Sequence, residues 1–475
     1  MSATPSPRWS DVGLLALVLG VAVLVRMHDL AARPMHADEA NQAVKLGQML
    51  AGGHYRFDPH DHHGPTLYYF GLLAAKLRGE SALATLRETT VRLVPAVAGV
   101  AAVGLLWLLL RRLGRTPALL AALLLAVSPA AVYYSRYFIQ ETLLVTFTLG
   151  AFVCGAEWWR KGGWGWATGT GICFGLMLAT KASALLYAAG ALVALAACRR
   201  GGKASWREAG FAGVVALGVV AAFYSSFGTN HDGLREAVHS LNIMFFKATA
   251  GESGHEKSWW YYARLFVWQR NGGYIWDQSL FVMPALVGAA LAWRRGGLVR
   301  FFAIYTVMIA VVLSLAPYKT PWQVVNVVPG LCVLAALGIA RLEGRLMMFY
   351  GSVVVLSLGW QMWQAVFLRP ADERNPFAYV HTVPDMLKVP ALASAAPAGA
   401  VKVIGCEYWP LPWYLRRRPE TGYWTEPPED CDGVLVFVDA DQADAVRGRL
   451  NGKYQESFLG LRPGVVVVVF TRLAE

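Results

Sequence analysis

The sequence predicts a mostly α, polytopic membrane protein with a small α/β domain at its C-terminal end. The 475 residues are 56% hydrophobic and only 16% charged, with a mean hydropathy of +0.40. Apolar runs of about 18 residues or more recur, and each is long enough to cross a hydrocarbon core about 30 Å thick. After residue 369, short valine-rich runs alternate with helical patterns, which is typical of a small α/β domain.

The net charge of +12 lies mainly in short hydrophilic gaps between the apolar runs. Loops of this kind are typical of the cytoplasmic side, because translocating Lys and Arg is unfavourable. The placement of the charge therefore indicates membrane topology, and we expect no nucleic-acid partner. The basic gaps are "RRLGR" (111–115), "RKGG" (160–163), "CRRGGKASWRE" (198–208), "WRRGGLVR" (293–300) and "RLEGR" (341–345).

The alternation of basic and non-basic gaps predicts about eleven transmembrane spans in a multi-pass protein of the cell (inner or plasma) membrane. The N-terminus is then cytoplasmic, the first span is an uncleaved anchor, and the C-terminal domain is extracytoplasmic. The predicted spans are residues 11–27, 89–110, 117–135, 139–158, 164–180, 182–198, 207–227, 276–293, 299–316, 322–341 and 347–367.

Two domains are predicted, a transmembrane domain over 1–369 and an extracytoplasmic α/β domain over 370–475. Within the first, residues 28–88 form an outer loop, and residues 228–275 form an outer loop rich in Trp and Tyr that is interpreted as an interfacial anchor. In the second, buried strands are expected at residues 401–405, 433–440 and 464–470.

An acidic pair follows the first span in "MHADEANQA" (35–43). Asp38 can serve as the N-cap of a short amphipathic helix that Gly52 and Gly53 end, which gives the pair a purely structural interpretation. The same loop also carries His60, Asp61, His62 and His63. A histidine cluster can be merely solvated, but two polar clusters in one loop favour a shared metal or acid–base centre. Asp38 and His63 are accordingly candidate ligands for a divalent cation.

Unusual charges also stand at the outer ends of the predicted spans, whereas the span centres carry essentially none. They are Arg136 and Glu141 in "YYSRYFIQE" (133–141), Lys181, and Lys319 in "APYKTPW" (316–322). Each cation can be a snorkelling side chain. As a group, they supply the fixed positive charge that a lipid phosphate at the interface requires.

The ordered motifs "DEANQA" (38–43), "HHGPTLYYF" (62–70), "YYSRYFIQETLL" (133–144), "YKTPWQ" (318–323), "RNPFAYVHT" (374–382) and "YWPLPWYLR" (408–416) resemble those of GT-C membrane glycosyltransferases. The resemblance is to the dolichyl-phosphate-mannose–protein mannosyltransferase and ArnT-like group, in its prokaryotic flippase-activity-associated branch. This chain departs from the better-studied members in having His-Gly-Pro where they have His-Pro-Pro or His-Lys-Pro-Pro.

The resemblance implies transfer of a sugar from a polyprenyl-phosphate donor to an extracytoplasmic protein, lipid or glycan acceptor, with inversion. Asp38 and Glu39 would be the catalytic carboxylates. Arg136, Glu141, Lys181, Lys319 and His63 would bind the donor phosphate and sugar.

The alternative is a non-catalytic transporter or flippase-associated protein for lipid-linked saccharides, for which a charged path through the bilayer is expected. A scaffold for a cell-surface assembly is a third interpretation, in which the C-terminal domain would be the working part. The enzyme interpretation predicts that Asp38, His63, Glu141 and Lys319 line one outward-facing cavity.

Overall fold

The computed structural model describes residues 9–60, 63–198, 201–249 and 254–473, and these residues are mostly helical. Each predicted span coincides with a helix or a pair of helices. The α-helices are α1 Trp9–Met27, α2 Ala37–Leu50, α3 Thr66–Leu77, α4 Glu88–Leu110, α5 Arg115–Val127, α6 Pro129–Tyr134, α7 Glu141–Lys161, α8 Trp164–Leu178, α9 Ala184–Ala197, α10 Trp206–Tyr224, α11 Gly233–Thr249, α12 Tyr261–Phe266, α13 Ser279–Arg295, α14 Gly297–Leu315, α15 Val328–Ile339, α16 Gly344–Trp363, α17 Val389–Ala395, α18 Leu411–Tyr414 and α19 Ala443–Arg447.

Two predicted spans are interrupted where proline follows. The span predicted over 117–135 ends its first helix at Ser128, whose backbone is extended, and α6 begins at Pro129. Proline disfavours a helical conformation in the residue before it but fits the first position of a new helix. The span predicted over 322–341 likewise begins with a 3₁₀ helix, Pro321–Asn326, and continues as α15.

By length and apolar composition, five of the described helices can cross a membrane. The shorter apolar helices are α5, α9 and α15. The predicted fold class of a helical membrane protein is therefore confirmed, whereas the number of spans stays a prediction. The five helices are α4, α7, α10, α14 and α16 extended to Leu368.

The described chain divides into two compact units. The described residues of the first unit lie within 1–28, 54–71 and 92–368, and those of the second lie within 29–53, 72–91 and 369–475. The second unit resumes at the predicted domain boundary and also includes α2 from the first loop.

The second unit contains a five-stranded mixed sheet in the order β4-β3-β5-β7-β6. β3, β4 and β5 are parallel, whereas β7 is antiparallel to both β5 and β6. Val436, Val438, Val468 and Phe470 form much of its buried core. The strands are β3 Val401–Ile404, β4 Thr421–Trp424, β5 Leu435–Asp439, β6 Tyr454–Arg462 and β7 Val465–Arg472, and in the first unit β1 Trp268–Asn271 and β2 Tyr274–Asp277 form a hairpin.

The three predicted strands of the C-terminal segment are confirmed, and β4 and β6 were not predicted. All six cysteines are free thiols, including the exposed Cys406 and the buried Cys431, whose pairing the sequence leaves open.

Helices α13 and α15 approach so closely that glycine is required at two positions. A Cβ atom on Gly288 would lie 1.9 Å from the carbonyl oxygen of Leu334, and one on Gly338 would lie 2.0 Å from that of Pro284. Because the obstacle is backbone, the helices themselves must move apart to accept a methyl group.

We expect Gly288→Ala to lower the free energy of unfolding by about 1–3 kcal/mol, the usual cost of overpacking. The matched control is Gly359→Ala on α16, where nothing lies within 4 Å of the added methyl group. Thermal unfolding of the detergent-solubilised protein measures both variants. Equal melting temperatures would show that the α13–α15 crossing tolerates a wider separation.

Candidate functional site

Helix α2 begins at His36, which is its N-cap. The His36 Nδ1 atom accepts the backbone N–H of Asp38 at 3.1 Å, and Glu39 Oε2 accepts the backbone N–H of His36 at 3.1 Å. This reciprocal arrangement is a capping box. The expectation that Asp38 is the N-cap is wrong. The N-cap is His36, so Asp38 and Glu39 are the second and third residues of the helix.

The two adjacent acids have opposite environments. Glu39 is fully buried, and its Oε2 atom lies 2.9 Å from Arg33 Nη2. The Asp38 side chain is 53% exposed, and its Oδ2 atom lies 3.8 Å from His36 Nδ1. Glu39 thus stabilises the start of the helix, while Asp38 presents its carboxylate to solvent.

The motif "RNPFAYVHT" (374–382) packs against the start of α2. The backbone carbonyl of Tyr379 lies 3.2 Å from His36 Nε2, and the rings of His36 and His381 lie 5.5 Å apart. Burial is the main cause that lowers the pKa of His381 well below its ordinary value, and the positive charge of Arg33 adds to it.

The motif "YWPLPWYLR" (408–416) also supports this region. The Tyr414 hydroxyl accepts the backbone N–H of Met35 at 2.8 Å. Trp413 Nε1 donates to Glu88 Oε1 at 2.7 Å, and Arg416 Nε donates to the Leu86 carbonyl at 3.2 Å. Both C-terminal motifs therefore contact the first-loop segments of the same unit.

In the first unit, the His-Gly-Pro motif lies against the turn after α8. The Gly64 N–H donates to the Thr180 carbonyl at 3.1 Å, and the Thr66 and Thr180 hydroxyl oxygens are 2.7 Å apart. A Cβ atom on Gly64 would lie 2.3 Å from the Ala179 carbonyl oxygen, so the motif needs glycine here. His63 is exposed, whereas Asp61 and His62 lie outside the described residues.

Lys181 follows directly and forms a buried ion pair with Glu141, the first residue of α7. The Lys181 and Glu141 side chains are 14% and 3% exposed. The contact of Gly64 with Thr180 therefore brings three predicted site residues, His63, Lys181 and Glu141, to one part of the first unit.

Arg136 is buried at the C-terminal end of α1. Its Nη1 atom donates to the carbonyl oxygens of Arg26 at 3.2 Å and His28 at 2.5 Å, and the guanidinium carbon lies 5.1 Å from the Phe367 ring centroid. The carbonyl groups at a helix end lack partners within the helix, and basic side chains commonly satisfy them. Arg136 thus has a clear structural role.

Lys319 is also buried, and its observed Nζ partners are neutral. The ammonium donates to the carbonyl of Lys257 at 3.2 Å and to that of Ala316. These contacts use two of its three N–H donors. Burial lowers the pKa of Lys319 below its ordinary value.

The predicted metal site has Asp38 and His63 as its donor groups. Among the described side chains, no three from His, Cys, Asp and Glu are grouped to hold a metal ion. Asp38 belongs to the second unit and His63 to the first. Metal dependence stays a prediction. The shared cavity of Asp38, His63, Glu141 and Lys319 likewise stays a prediction.

Comparisons with known proteins give a family match over part of the chain and structural matches over nearly all of it. Residues 62–225 match the model of the family described as dolichyl-phosphate-mannose-protein mannosyltransferase. The crystal structure of ArnT from Cupriavidus metallidurans bound to undecaprenyl phosphate is similar, with a TM-score of 0.68 at 16% identity over 96% of this chain and 98% of that chain. The chain has the GT-C fold.

Other GT-C structures extend the comparison. The apo state of the same ArnT gives a TM-score of 0.69 at 16% identity, over 97% of this chain and 98% of that one. The archaeal oligosaccharyltransferase AglB from Archaeoglobus fulgidus, in complex with an inhibitory peptide and a dolichol-phosphate, gives 0.58 at 12% identity, over 95% and 73%. No curated protein matches the chain. The family match covers residues 62–225, and the structural matches show that the chain shares the fold of these proteins.

The ion pair between Glu141 and Lys181 predicts that removing one partner destabilises the protein more than removing both. Glu141→Gln should lower the free energy of unfolding by about 3–5 kcal/mol, because it leaves the Lys181 ammonium buried without its carboxylate. The double variant Glu141→Gln/Lys181→Met should recover much of that loss in thermal unfolding. A double variant as unstable as the single one would contradict the ion-pair explanation.

The buried imidazole of His381 predicts a pH dependence of stability. Because its folded pKa is lowered, the unfolded chain binds the additional proton, whose ordinary pKa is about 6.5. Stability should therefore be full above about pH 6.5 and fall as the pH decreases below it. Melting temperatures at pH 8 and pH 5.5 check this. His381→Gln should reduce the difference, and an unchanged difference would assign it to other groups.

Proposed function

We propose that the protein transfers a sugar from a polyprenyl-phosphate donor to an extracytoplasmic protein, lipid or glycan, with inversion at the anomeric carbon. The observation that carries the proposal is the Asp38 carboxylate, which faces solvent from a helix start that a capping box and a buried ion pair hold in place. The polyprenyl donor is supported by ArnT bound to undecaprenyl phosphate and AglB in complex with dolichol-phosphate.

In the proposed reaction, Asp38 orients the acceptor nucleophile and takes its proton. The nucleophile forms a bond to the anomeric carbon while the bond from that carbon to the phosphate oxygen breaks. The bonding electron pair leaves with the lipid phosphate. General-base catalysis of this kind contributes about 10²- to 10⁴-fold to the rate. Attack opposite the leaving phosphate inverts the configuration.

Among the cations, Lys319 is the strongest candidate for stabilising the leaving phosphate. Its observed partners are neutral carbonyls, and a phosphate would supply the opposite charge that a buried ammonium favours. Lys181 is already balanced by Glu141, and Arg136 caps α1. We assign Lys181, Glu141 and Arg136, with His63, to supporting the donor site. We assign Glu39 to positioning Asp38.

The polyprenyl chain of the proposed donor lies in the membrane. The protein is then a multi-pass protein of the cell membrane with a cytoplasmic N-terminus and an extracytoplasmic C-terminal domain. Apolar helices and the GT-C fold support the membrane location, and the basic loops support the orientation.

The test uses the lipid-linked sugar that accumulates in cells lacking the protein, isolated with a radiolabel. Membranes with the wild-type chain should transfer the label covalently, and Asp38→Asn should reduce transfer at least about 100-fold. The matched control, Glu426→Gln, alters an exposed acid of the same unit and should be neutral.

Normal transfer by Asp38→Asn would remove Asp38 from the catalytic role. Movement of the label across the bilayer without covalent transfer would favour the transporter or flippase-associated alternative.

A further inference from the structure

We propose that one edge of the mixed sheet in the second unit is a carbohydrate-binding surface that holds the sugar chain of a glycan acceptor. The inference rests on the proposed function, because it specifies the class of acceptor that the transfer reaction uses. The residues of this aromatic surface are Glu407, Tyr408, Trp409, Tyr423, Asp439 and Arg462.

The aromatic surface lies where the strand order of the sheet reverses. From β3 the chain passes outward to the edge strand β4 and then returns beyond β3 to β5, and these three strands are parallel. In open sheets, ligands bind outside the carboxyl ends of parallel strands at such a reversal. Here β3 is followed by Gly405, and β5 ends at Asp439. The strand order alone therefore favours a ligand site at this edge.

The last residue of β5 holds the segment that follows β3. Asp439 Oδ2 accepts the backbone N–H of Cys406 at 2.8 Å and that of Glu407 at 3.1 Å. Gly405 has a positive φ of 135°, and a Cβ atom there would lie 2.2 Å from the carboxylate carbon of Asp439. Glycine therefore lets the carboxylate approach the backbone. The two hydrogen bonds then fix the backbone from which Glu407 and Tyr408 project.

Three aromatic rings are grouped beside this segment. The ring centroid of Tyr408 lies 5.5 Å from that of Tyr423 and 5.8 Å from that of Trp409. Tyr423 is 40% exposed, and Tyr408 and Trp409 are half-buried. The face of an aromatic ring is electronegative and attracts weakly positive C–H hydrogens, which the apolar face of a sugar ring presents. The grouped rings therefore form a platform on which sugar rings can stack.

Hydrogen-bonding groups for sugar hydroxyls stand at the same edge. Glu407 and Arg462 form an ion pair in which both side chains reach solvent. A carboxylate accepts hydrogen bonds and a guanidinium donates them, so the pair matches a hydroxyl group, which does both. A few polar groups beside aromatic side chains are typical of sites for small organic ligands.

The charges of the aromatic surface favour a neutral ligand. The surface carries the carboxylates of Glu407 and Asp439 and the guanidinium of Arg462. Phosphates, nucleic acids and anionic lipid headgroups require an excess of positive charge, which these three groups do not supply. A neutral sugar chain can use both the aromatic rings and the paired charges.

The aromatic surface is anchored to the segment that carries Asp38 in the same unit. Helix α18 follows the surface along the chain, and the hydroxyl of its last residue, Tyr414, accepts the Met35 N–H at 2.8 Å. At the end of β6, the Leu461 carbonyl accepts the Val383 N–H at 3.0 Å, and Val383 directly follows the motif that packs against the start of α2. Two sets of contacts therefore connect the surface to the helix that presents the proposed catalytic carboxylate.

Glycan binding to the purified full-length protein tests the surface without the reaction. The probe is the neutral glycan fraction released from the envelope of cells that lack the protein, and saturation-transfer NMR measures Kd. The wild-type protein should bind this fraction. Tyr423→Ala should raise Kd about tenfold because it removes a stacking ring, whereas Tyr423→Phe should stay within about twofold. Glu407→Gln alters an exposed side chain and should raise Kd about fivefold.

Two controls identify the ligand and the surface. Phe458→Ala removes a ring on β6 of the same sheet that is 64% exposed, and it should bind as wild type does. Periodate oxidation of the glycans cleaves their vicinal diols and should abolish binding. An absence of binding by the wild-type protein, or an unchanged Kd in both Tyr423→Ala and Glu407→Gln, would overturn the proposal. Full binding of the oxidised fraction would also overturn it, in favour of a peptide or lipid ligand.

Transfer of the isolated lipid-linked sugar to the same glycan fraction supplies the second measurement. Tyr423→Ala should raise the KM for the glycan about tenfold, while kcat and the KM for the lipid-linked donor stay as in the wild-type protein. This split is expected because the ring contributes binding that is equal in the ground state and the transition state. An unchanged KM for the glycan would overturn the role of the surface in holding the acceptor.

The outcomes distinguish this proposal from the proposed function. Asp38→Asn should lose transfer and keep glycan binding. Glycan binding that depends on Tyr423, together with normal transfer by Asp38→Asn, would refute the catalytic assignment alone. An absence of glycan binding, together with loss of transfer in Asp38→Asn, would refute the carbohydrate-binding surface alone.

Discussion

The ion pair between Arg33 and Glu39 is the interaction on which the candidate site depends. Glu39 is fully buried, and a carboxylate can remain charged there only with a close cation and further donors. Arg33 supplies the cation, and the His36 N–H supplies a further donor. Because Glu39 directly follows Asp38, its ion pair with Arg33 fixes where the helix begins. It also leaves Asp38 as the acid that faces solvent.

In the first unit, close backbone contacts position predicted site residues. Gly64 lets the His-Gly-Pro motif reach the turn at Thr180, and the next residue, Lys181, is fixed by Glu141. Polar groups buried in a membrane protein need partners within the protein. A sequence motif and an ion pair that are distant along the chain are thus parts of one local structure.

The sequence predicts the helical segments well because apolar runs of membrane length are a strong signal. The breaks at Ser128 and in the segment after Thr320 depend on local proline effects, which hydropathy does not reveal. Strand β4 is short, and β6 contains charged residues such as Glu456, so neither resembles the valine-rich strands.

The acidic pair could be selected from the sequence, but the different environments of its members could not. His36 precedes Glu39 by the three residues of a capping box, a signal that was available. It is obscured because histidine is not a preferred N-cap. The contributions of Tyr379, His381 and Tyr414 depend on contacts between distant segments, so no local sequence pattern indicates them.

The exposed thiol of Cys406 has a practical consequence. The other cysteines are partly or fully buried, so Cys406 is the most accessible of the six to a water-soluble maleimide. On intact cells, a reagent that cannot cross the bilayer would modify it only if the mixed sheet faces the outside. The native chain therefore carries its own reporter of membrane orientation, at a position more than 350 residues from Asp38 along the chain.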